Sequence, residues 1–300
     1  MRLDTFLARW FRDFSRSALS RGVKAGQVCS EGRPLRAGAR VRGGQVLDIT
    51  IEGIAPDGPP PPFPPILLER DGLLVVDKPA GMLCHPTGTT FAWALVGLAR
   101  ERHPDVELVH RLDRDTSGCI ALTTDPTLNR HLKLAIKEGR TRKEYEAIVK
   151  GEIPWDRKRL DGPIGPADGE IRIQMAIRDD GKPARTDVTV IGRQPGYTRV
   201  RCRIHTGRTH QIRIHLAHEG FPLLGDRLYG VAPEVFLHTL EHGVDASTRE
   251  ATGAPYHALH AAELELPLPG GAVVVRAPMP EVLERWWAHP EVLPHDGEAP

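Results

Sequence analysis

Leu3, Phe6, Leu7 and Trp10 recur at the three- and four-residue spacing of a helix's buried stripe, and Ala18, Leu19 and Val23 repeat that spacing further on. Ser15 or Ser17 is placed to cap the second helix, and Gly26 to end it. From Gln27 to Leu35 and from Val46 to Ile51 the hydrophobic period shortens to two around Gly-rich turns, which predicts short strands. Arg2, Arg9, Arg12, Arg16, Arg21 and Lys24 decorate the two helices.

A proline run from Pro59 to Pro65, broken only by Phe63, follows Ala55-Pro56-Asp57-Gly58 and predicts a stiff, extended spacer. The expected organisation is a small unit over 1–54, a linker over 55–65, a larger unit over 66–288 and a loose tail over 289–300. In the larger unit, buried strands are expected at Ile66-Leu67-Leu68, Leu73 to Val76, Ile120 to Leu122, Tyr145 to Val149, Val188 to Ile191 and Thr198 to Ile204. Leu264 to Leu266 and Ala272 to Val275 flank Pro269-Gly270-Gly271 as a hairpin. Helices are expected at Trp93 to Arg102, Thr127 to Glu138, Thr209 to Glu219 and Glu281 to Trp287, and Asp77 to Gly81 reads as a loop. Strands outnumber helices without regular alternation, so the fold class is α+β with a mixed, mainly antiparallel sheet.

No stretch approaches the roughly twenty apolar residues of a membrane span, and Met1-Arg2-Leu3-Asp4 does not begin a secretory signal, so a cytoplasmic location without a membrane partner is expected. Cys29, Cys84, Cys119 and Cys202 stand far apart, which favours buried thiols over a zinc pair or a disulfide framework. Charge adds more. Residues 1–53 carry a balance of +5 within a chain of net charge +1, leaving −4 for the remainder, so the N-terminal unit is the basic one.

The densest chemistry lies in Val109 to Gly118, where a short apolar approach ends in His110-Arg111-Leu112-Asp113 and is followed by Arg114-Asp115-Thr116-Ser117-Gly118. Asp113 falls in a loop beside a strand, between Arg111 and Arg114, whose charges favour the ionised carboxylate that a nucleophile needs. Pattern alone leaves open an ordinary ion pair, and Asp115 is the rival acid, placed to cap a turn. Residues 188–218 contain Arg193, Arg199, Arg201, Arg203, Arg208 and Arg213 and no acid, and Lys137, Arg140, Arg142 and Lys143 form a second cluster. Together they could follow a phosphate backbone. Spacings of five among His205, His210 and His215 do not stack on one helix face, so no metal is expected there, and no cofactor is implied.

Arg2 to Leu7, Ser15 to Leu19 and Val23 to Val28 resemble the S4 RNA-binding domain, with a departure at Cys29-Ser30-Glu31-Gly32, where that pattern usually has an apolar residue and Asn before the Gly. Val109 to Gly118, with Asp77 to Gly81, His85 to Gly88, Lys143-Glu144-Tyr145, Thr206 to His215 and Gly225 to Gly230 in the same order, resembles the RluA-type pseudouridine synthases. Thr89 to Val109 is shorter and poorer in glycine than in many relatives. The resemblance implies that Asp113 is the catalytic carboxylate and that Tyr145 and Arg213 assist it. Arg213 would pair with Asp113, and its place early in a helix calls for a compensating anion. It further implies an RNA partner, ribosomal or transfer RNA, reached by flipping a uridine out of its stack. Arg111 would fill the gap left behind, and His110 would brace the loop. Arg114, Lys143, Arg208, His210 and Gln211, with Arg2, Arg16, Arg21 and Lys24 of the basic unit, are the remaining candidates for RNA contact, and a monomer is the default state. Two rivals remain: a metal-dependent RNA hydrolase, which a chelator would inhibit, and a non-catalytic RNA-binding or ribosome-assembly protein.

Overall fold

The computed structural model describes residues 1–10, 16–49, 60–85 and 93–290. The proposed cap Ser15, the side chains of Arg16 and of the other proposed cap Ser17, most of the linker, the motif residues 86–88 and the tail beyond 290 lie outside the described parts. By contacts the chain forms two units, Met1–Phe63 with Met82–Val106, and Pro64–Gly81 with Glu107–Pro300.

The first unit opens with α1 (Leu3–Trp10) and α2 (Arg16–Lys24), as the apolar spacing predicts. Arg21 and Lys24 sit in the last turn of α2, where cations oppose the negative helix end. Gly26, at φ +74°, turns the chain out of that helix. Strands β1 (Val28–Ser30), β2 (Arg33–Pro34) and β3 (Asp48–Ile49) make a small antiparallel sheet with β1 in the middle. Leu3, Leu7, Leu19, Val23, Val28 and Val41 are its core. A later helix, α3 (Leu95–Arg102), also belongs to this unit.

The two-residue turn between β1 and β2 places Glu31 at φ +52° and Gly32 at φ +73°. Both positions of such a hairpin turn are left-handed, which suits Asn-Gly far better than a residue with a full side chain. Glu31→Asn should therefore stabilise this unit by about 0.5–1 kcal/mol in urea unfolding. An unchanged or lower midpoint would refute the strain.

The second unit is built on one ten-stranded sheet. Its members are β4 (Ile66–Arg70), β5 (Leu73–Lys78), β6 (Glu107–Leu108), β7 (Ser117–Thr123), then, beyond α4 (Pro126–Lys137), β8 (Arg142–Lys150) and β9 (Arg157–Asp161). A separate hairpin, β10 (Ile164–Pro166) and β11 (Met175–Ile177), precedes the long pair β12 (Arg185–Gln194) and β13 (Tyr197–Ile204). Helices α5 (Gln211–His218), α6 (Pro233–His242) and α7 (Ala246–Thr252) follow, then β14 (Leu259–Leu268), β15 (Gly271–Arg276) and α8 (Glu281–Ala288). Along the main path the order is β4-β5-β7-β14-β8-β13-β12-β9, with β15 on β14 and β6 on β7.

Every ladder of that sheet is antiparallel except β7 against β14, where Ser117 and Gly118 lie beside His260 and Ala261. That joint is tight. A Cβ on Gly118 would stand 2.3 Å from the Ala261 carbonyl oxygen, and its φ of +105° suits only glycine. The α+β class with a mainly antiparallel sheet is as the alternation predicts. Helix α4 and strands β5, β7, β14 and β15 enclose one core, with Leu73, Val75, Ala121, Leu132 and Leu266 essentially unexposed. Burial of each larger side chain is worth about 1.5–3 kcal/mol. A second core packs Trp286 and Leu283 of α8 on Ile148, Leu224 and Tyr256.

Some elements went unread. Strand β9 is Arg-Lys-Arg-Leu-Asp, with Leu160 alone buried, because an edge strand needs only one inward residue. Helix α6 has apolar residues without a clean stripe and buries none of them fully, while α7 has few apolar residues and depends on Asp245, which accepts the Thr248 N–H.

Candidate active site

Asp113 lies in the loop before β7, where the Thr116 N–H donates to the Asp113 carbonyl at 3.2 Å and closes a turn. Lys78, fully buried at the end of β5, donates from Nζ to the Arg114 carbonyl at 2.9 Å and so suspends the same loop. The Asp77 to Gly81 motif is thus a loop only in its second half, since Asp77 and Lys78 complete β5. On the opposite side, the hydroxyls of Thr116 and Ser117 bond to two buried histidines, His257 Nε2 at 2.8 Å and His260 Nδ1 at 2.9 Å.

Arg213, third residue of α5, donates from Nη1 to Asp113 Oδ2 at 3.0 Å. Its Nε and Nη2 grip both oxygens of Asp226 at 2.7 and 2.8 Å, a bidentate pair with the Asp226 side chain fully enclosed. Asp226 Oδ1 also accepts the backbone N–H groups of Leu228 and Tyr229. One carboxylate thus fixes the guanidinium, and the guanidinium aims at the other. The Tyr229 ring lies 5.0 Å from the Arg213 Cζ and limits its swing.

Burial is the largest single influence on Asp113 and pushes its pKa up, but the Arg213 guanidinium together with His210 and His257 outweighs it, so the net position is below the ordinary carboxylate value. Burial lowers both His210 and His257 to about 4, so at neutral pH they are uncharged and Arg213 is the cation that keeps Asp113 ionised. The flanking arginines Arg111 and Arg114, to which the sequence assigned this role, do not fill it. Arg114 donates to Asp115 at 2.9 Å, and Arg111 is exposed, with no hydrogen bond or ion pair to the described residues. Nor is Asp115 a free turn cap: Arg114 and Arg227 hold it in an ion-paired site, and it is 8% exposed.

His210 is the left-handed N-cap of α5, at φ +56°. Tyr229 accepts the Met175 N–H, and its hydroxyl also bonds to His210 Nδ1 at 2.8 Å. The other ring nitrogen, Nε2, stands 4.0 Å from Asp113 Oδ2. Tyr145 stands on β8 with 7% exposure, on the same face as Lys143 and opposite Glu144 and Glu146.

Several expected RNA contacts need correction. Gln211 is buried and bonds through both ends of its amide, to Thr206 Oγ1, Arg208 N, Arg185 O and Thr186 Oγ1, which leaves no free donor or acceptor direction for RNA. Lys143 is buried rather than part of an open basic cluster. His110 accepts the Ala121 N–H at 3.2 Å and braces the loop. The arginine stripe is largely neutralised by other elements: Arg199 meets Glu146 and, on α8, Glu284, Arg201 meets Glu146, and Arg193 meets Asp156. Arg208 is half-buried and donates from Nε to the Pro183 carbonyl. In the first unit Arg2 is paired with Asp4, whereas Arg21 and Lys24 are exposed without a partner among the described residues. Asp226, Tyr229 and His257 were missed, although the first two lie within the Gly225 to Gly230 motif.

A half-buried carboxylate held ionised by a buried arginine, on a mainly antiparallel sheet and in a chain with a small basic N-terminal unit, accords with what the comparisons find. Residues 72–218 match the RNA pseudouridylate synthase family and residues 1–47 the S4 domain. A ribosomal large subunit pseudouridine synthase D of Xanthomonas campestris pv. campestris is 35% identical over 95% of this chain and 87% of its own. An uncharacterized RNA pseudouridine synthase of Chloroflexus aurantiacus is 37% identical over 76% of this chain and 75% of its own. The solved structure of human RNA pseudouridylate synthase domain containing 1 superposes with a TM-score of 0.58 at 28% identity, covering 72% of this chain and 83% of that one. The chain belongs to the RNA pseudouridylate synthase family, with an N-terminal S4 domain. Among the described residues no helix is long and apolar enough to cross a membrane.

Proposed function

We propose that the protein isomerises a specific uridine of large-subunit ribosomal RNA to pseudouridine, with Asp113 as the essential carboxylate. The observation that carries this reading is the chain of charges Asp226–Arg213–Asp113, which keeps one carboxylate ionised and aimed in a largely enclosed site. The reaction breaks the C1′–N1 bond, forms C1′–C5 and moves a proton from C5 to N1, so its atoms balance without a co-reactant. Attack on C1′, attack on the base, or removal of a ribose proton by Asp113 all require the charged form.

Tyr145 supplies a ring on which uracil stacks and a phenol that relays the C5 proton. A uridine within its stack is out of reach of a half-buried carboxylate, so the base is flipped at about a few kcal/mol. Arg111, exposed and unpaired beside Asp113, steadies the opened strand. Arg114, Arg208 and His210 border the same loops, and Arg2, Arg16, Arg21 and Lys24 of the S4 domain contact the phosphate backbone. The working limits are 1–54, 55–65, 66–288 and 289–300, and the protein acts as a monomer in the cytoplasm.

Ribosomal RNA is favoured over transfer RNA because relatives named for the large ribosomal subunit match over nearly the whole chain, S4 domain included. A non-catalytic assembly role is disfavoured by the intact Asp113, Tyr145 and Arg213. Mapping pseudouridines in cellular RNA with and without the gene tests the reading: loss of a large-subunit site is expected, loss confined to transfer RNA would move the target, and no loss would refute the activity.

A further inference from the structure

Lys143 is 8% exposed, yet its ammonium makes no hydrogen bond or ion pair with any described residue. Among the described residues its surroundings contribute no anion. The strand alternation that turns Lys143 and Tyr145 to one face turns Glu144 to the other, where Glu144 is taken up by Arg142 at 2.6 Å. Beside it lie Gly207, whose Cβ position would be 3.4 Å from Nζ, and His110, which burial and the Lys143 charge lower to about 3, so that it is neutral. Among the described residues the only enclosed side-chain polar atom without a partner is Thr248 Oγ1, so the Lys143 nitrogen keeps an opening to solvent.

An unpaired buried charge is costly, and a protein gains nothing in stability by keeping one. Burial lowers this lysine to about 8, which still leaves it mostly protonated at neutral pH. A cation held ready in this way lacks its anion until a ligand brings it. Tyr145, two positions along the same strand face, lies roughly 7 Å away by strand spacing, about the reach from a uracil ring to its own backbone.

Resting on the reading that Tyr145 seats the uracil of an RNA substrate, we propose that Lys143 is a binding residue for a phosphodiester directly flanking the target uridine. Base contacts alone do not fix the ribose, and a pinned phosphate keeps C1′ in place while the detached base turns. Gly207 leaves the space beside Nζ open, since a Cβ there would already stand in van der Waals contact with the ammonium.

The test uses the full-length protein and an RNA fragment containing the uridine mapped as above. Binding is compared with fragments in which the phosphate on the 5′ or 3′ side of that uridine is an uncharged methylphosphonate, all with matching 2′-O-methyl groups. Wild type should lose about tenfold or more at one of the two positions. Lys143→Met should bind the unmodified fragment more weakly by a similar factor, be indifferent to the replacement, and melt no lower than wild type, because it removes an uncompensated charge. If Lys143→Met still discriminates as wild type does, as it would were the lysine on a uracil carbonyl, or if it simply melts earlier, the assignment is overturned. Failure of wild type to isomerise the plain fragment would instead overturn the parent reading, and is seen before any variant is compared.

Discussion

Asp113→Asn is expected to bind RNA with near-normal affinity and to form pseudouridine at less than about one thousandth of the wild-type rate, since a group that acts in the bond-breaking step has no substitute. The amide keeps the size of the side chain, so the loop from Arg111 to Ser117, held by Lys78, His257 and His260, should retain its shape. Two things change. The charge is lost, and the amide leaves Arg213 with Asp226 as its one anionic partner, which the bidentate bond already satisfies. Stability should therefore fall little. Single-turnover assays alongside binding separate the two effects, and retained turnover in this variant would sink the assignment of Asp113.

Asp226→Asn should produce the largest loss of stability. Its carboxylate is fully enclosed and accepts four hydrogen bonds, two from Arg213 and two from the backbone of Leu228 and Tyr229. Asparagine can accept some of these but turns an N–H₂ toward a guanidinium. Breaking one side of a buried ion pair costs about 3–5 kcal/mol. Arg213, no longer fixed from behind, would also lose its aim, and a displacement of about 1 Å is enough for a hundredfold fall in kcat. Burial is the largest single influence and raises the Asp226 pKa, but Arg213, His257 and the Leu228 N–H together outweigh it, so the net value is below 3.8. The pair's contribution is then complete above the ordinary carboxylate range and lost as pH falls below it. The stability gap between wild type and Asp226→Asn should accordingly narrow below pH about 4 in urea titrations. A constant gap, or one under about 1 kcal/mol, would show that Asp226 does not carry this charge pair.

The apolar pattern of α1, α2, α4, β8 and β13 was legible because each turns a regular stripe or alternate residues to a core, and that of β5 and β7 because they are short apolar runs buried along nearly their whole length. The charged edge strand β9 and the cap-dependent α7 carry no such pattern. At the site, pairing of Asp113 with Arg213 was readable from motif and helix position. The anchor Asp226 was not, because its role depends on a chain fold that brings residues 213 and 226 together on a buried wall. Charge clusters misled most. Arg199 and Arg201 seemed free only because their acid, Glu146, lies on the neighbouring strand 53 and 55 positions away.

Because β7 pairs with β14 and not with its sequence neighbour β8, the loop of Asp113 is completed by residues that leave the ribosome long after it. Ser117 and His260 are 143 positions apart. At roughly 5–20 residues per second that separation is about 7–30 s of synthesis. Throughout that interval one edge of β7 lacks its neighbour and Thr116 and Ser117 lack their histidines, although the chain already carries Asp113 and, later, Tyr145, Arg213 and Asp226. A chain that stalls before His257 holds every charged group of the site but not the wall that positions them, so competence waits for β14.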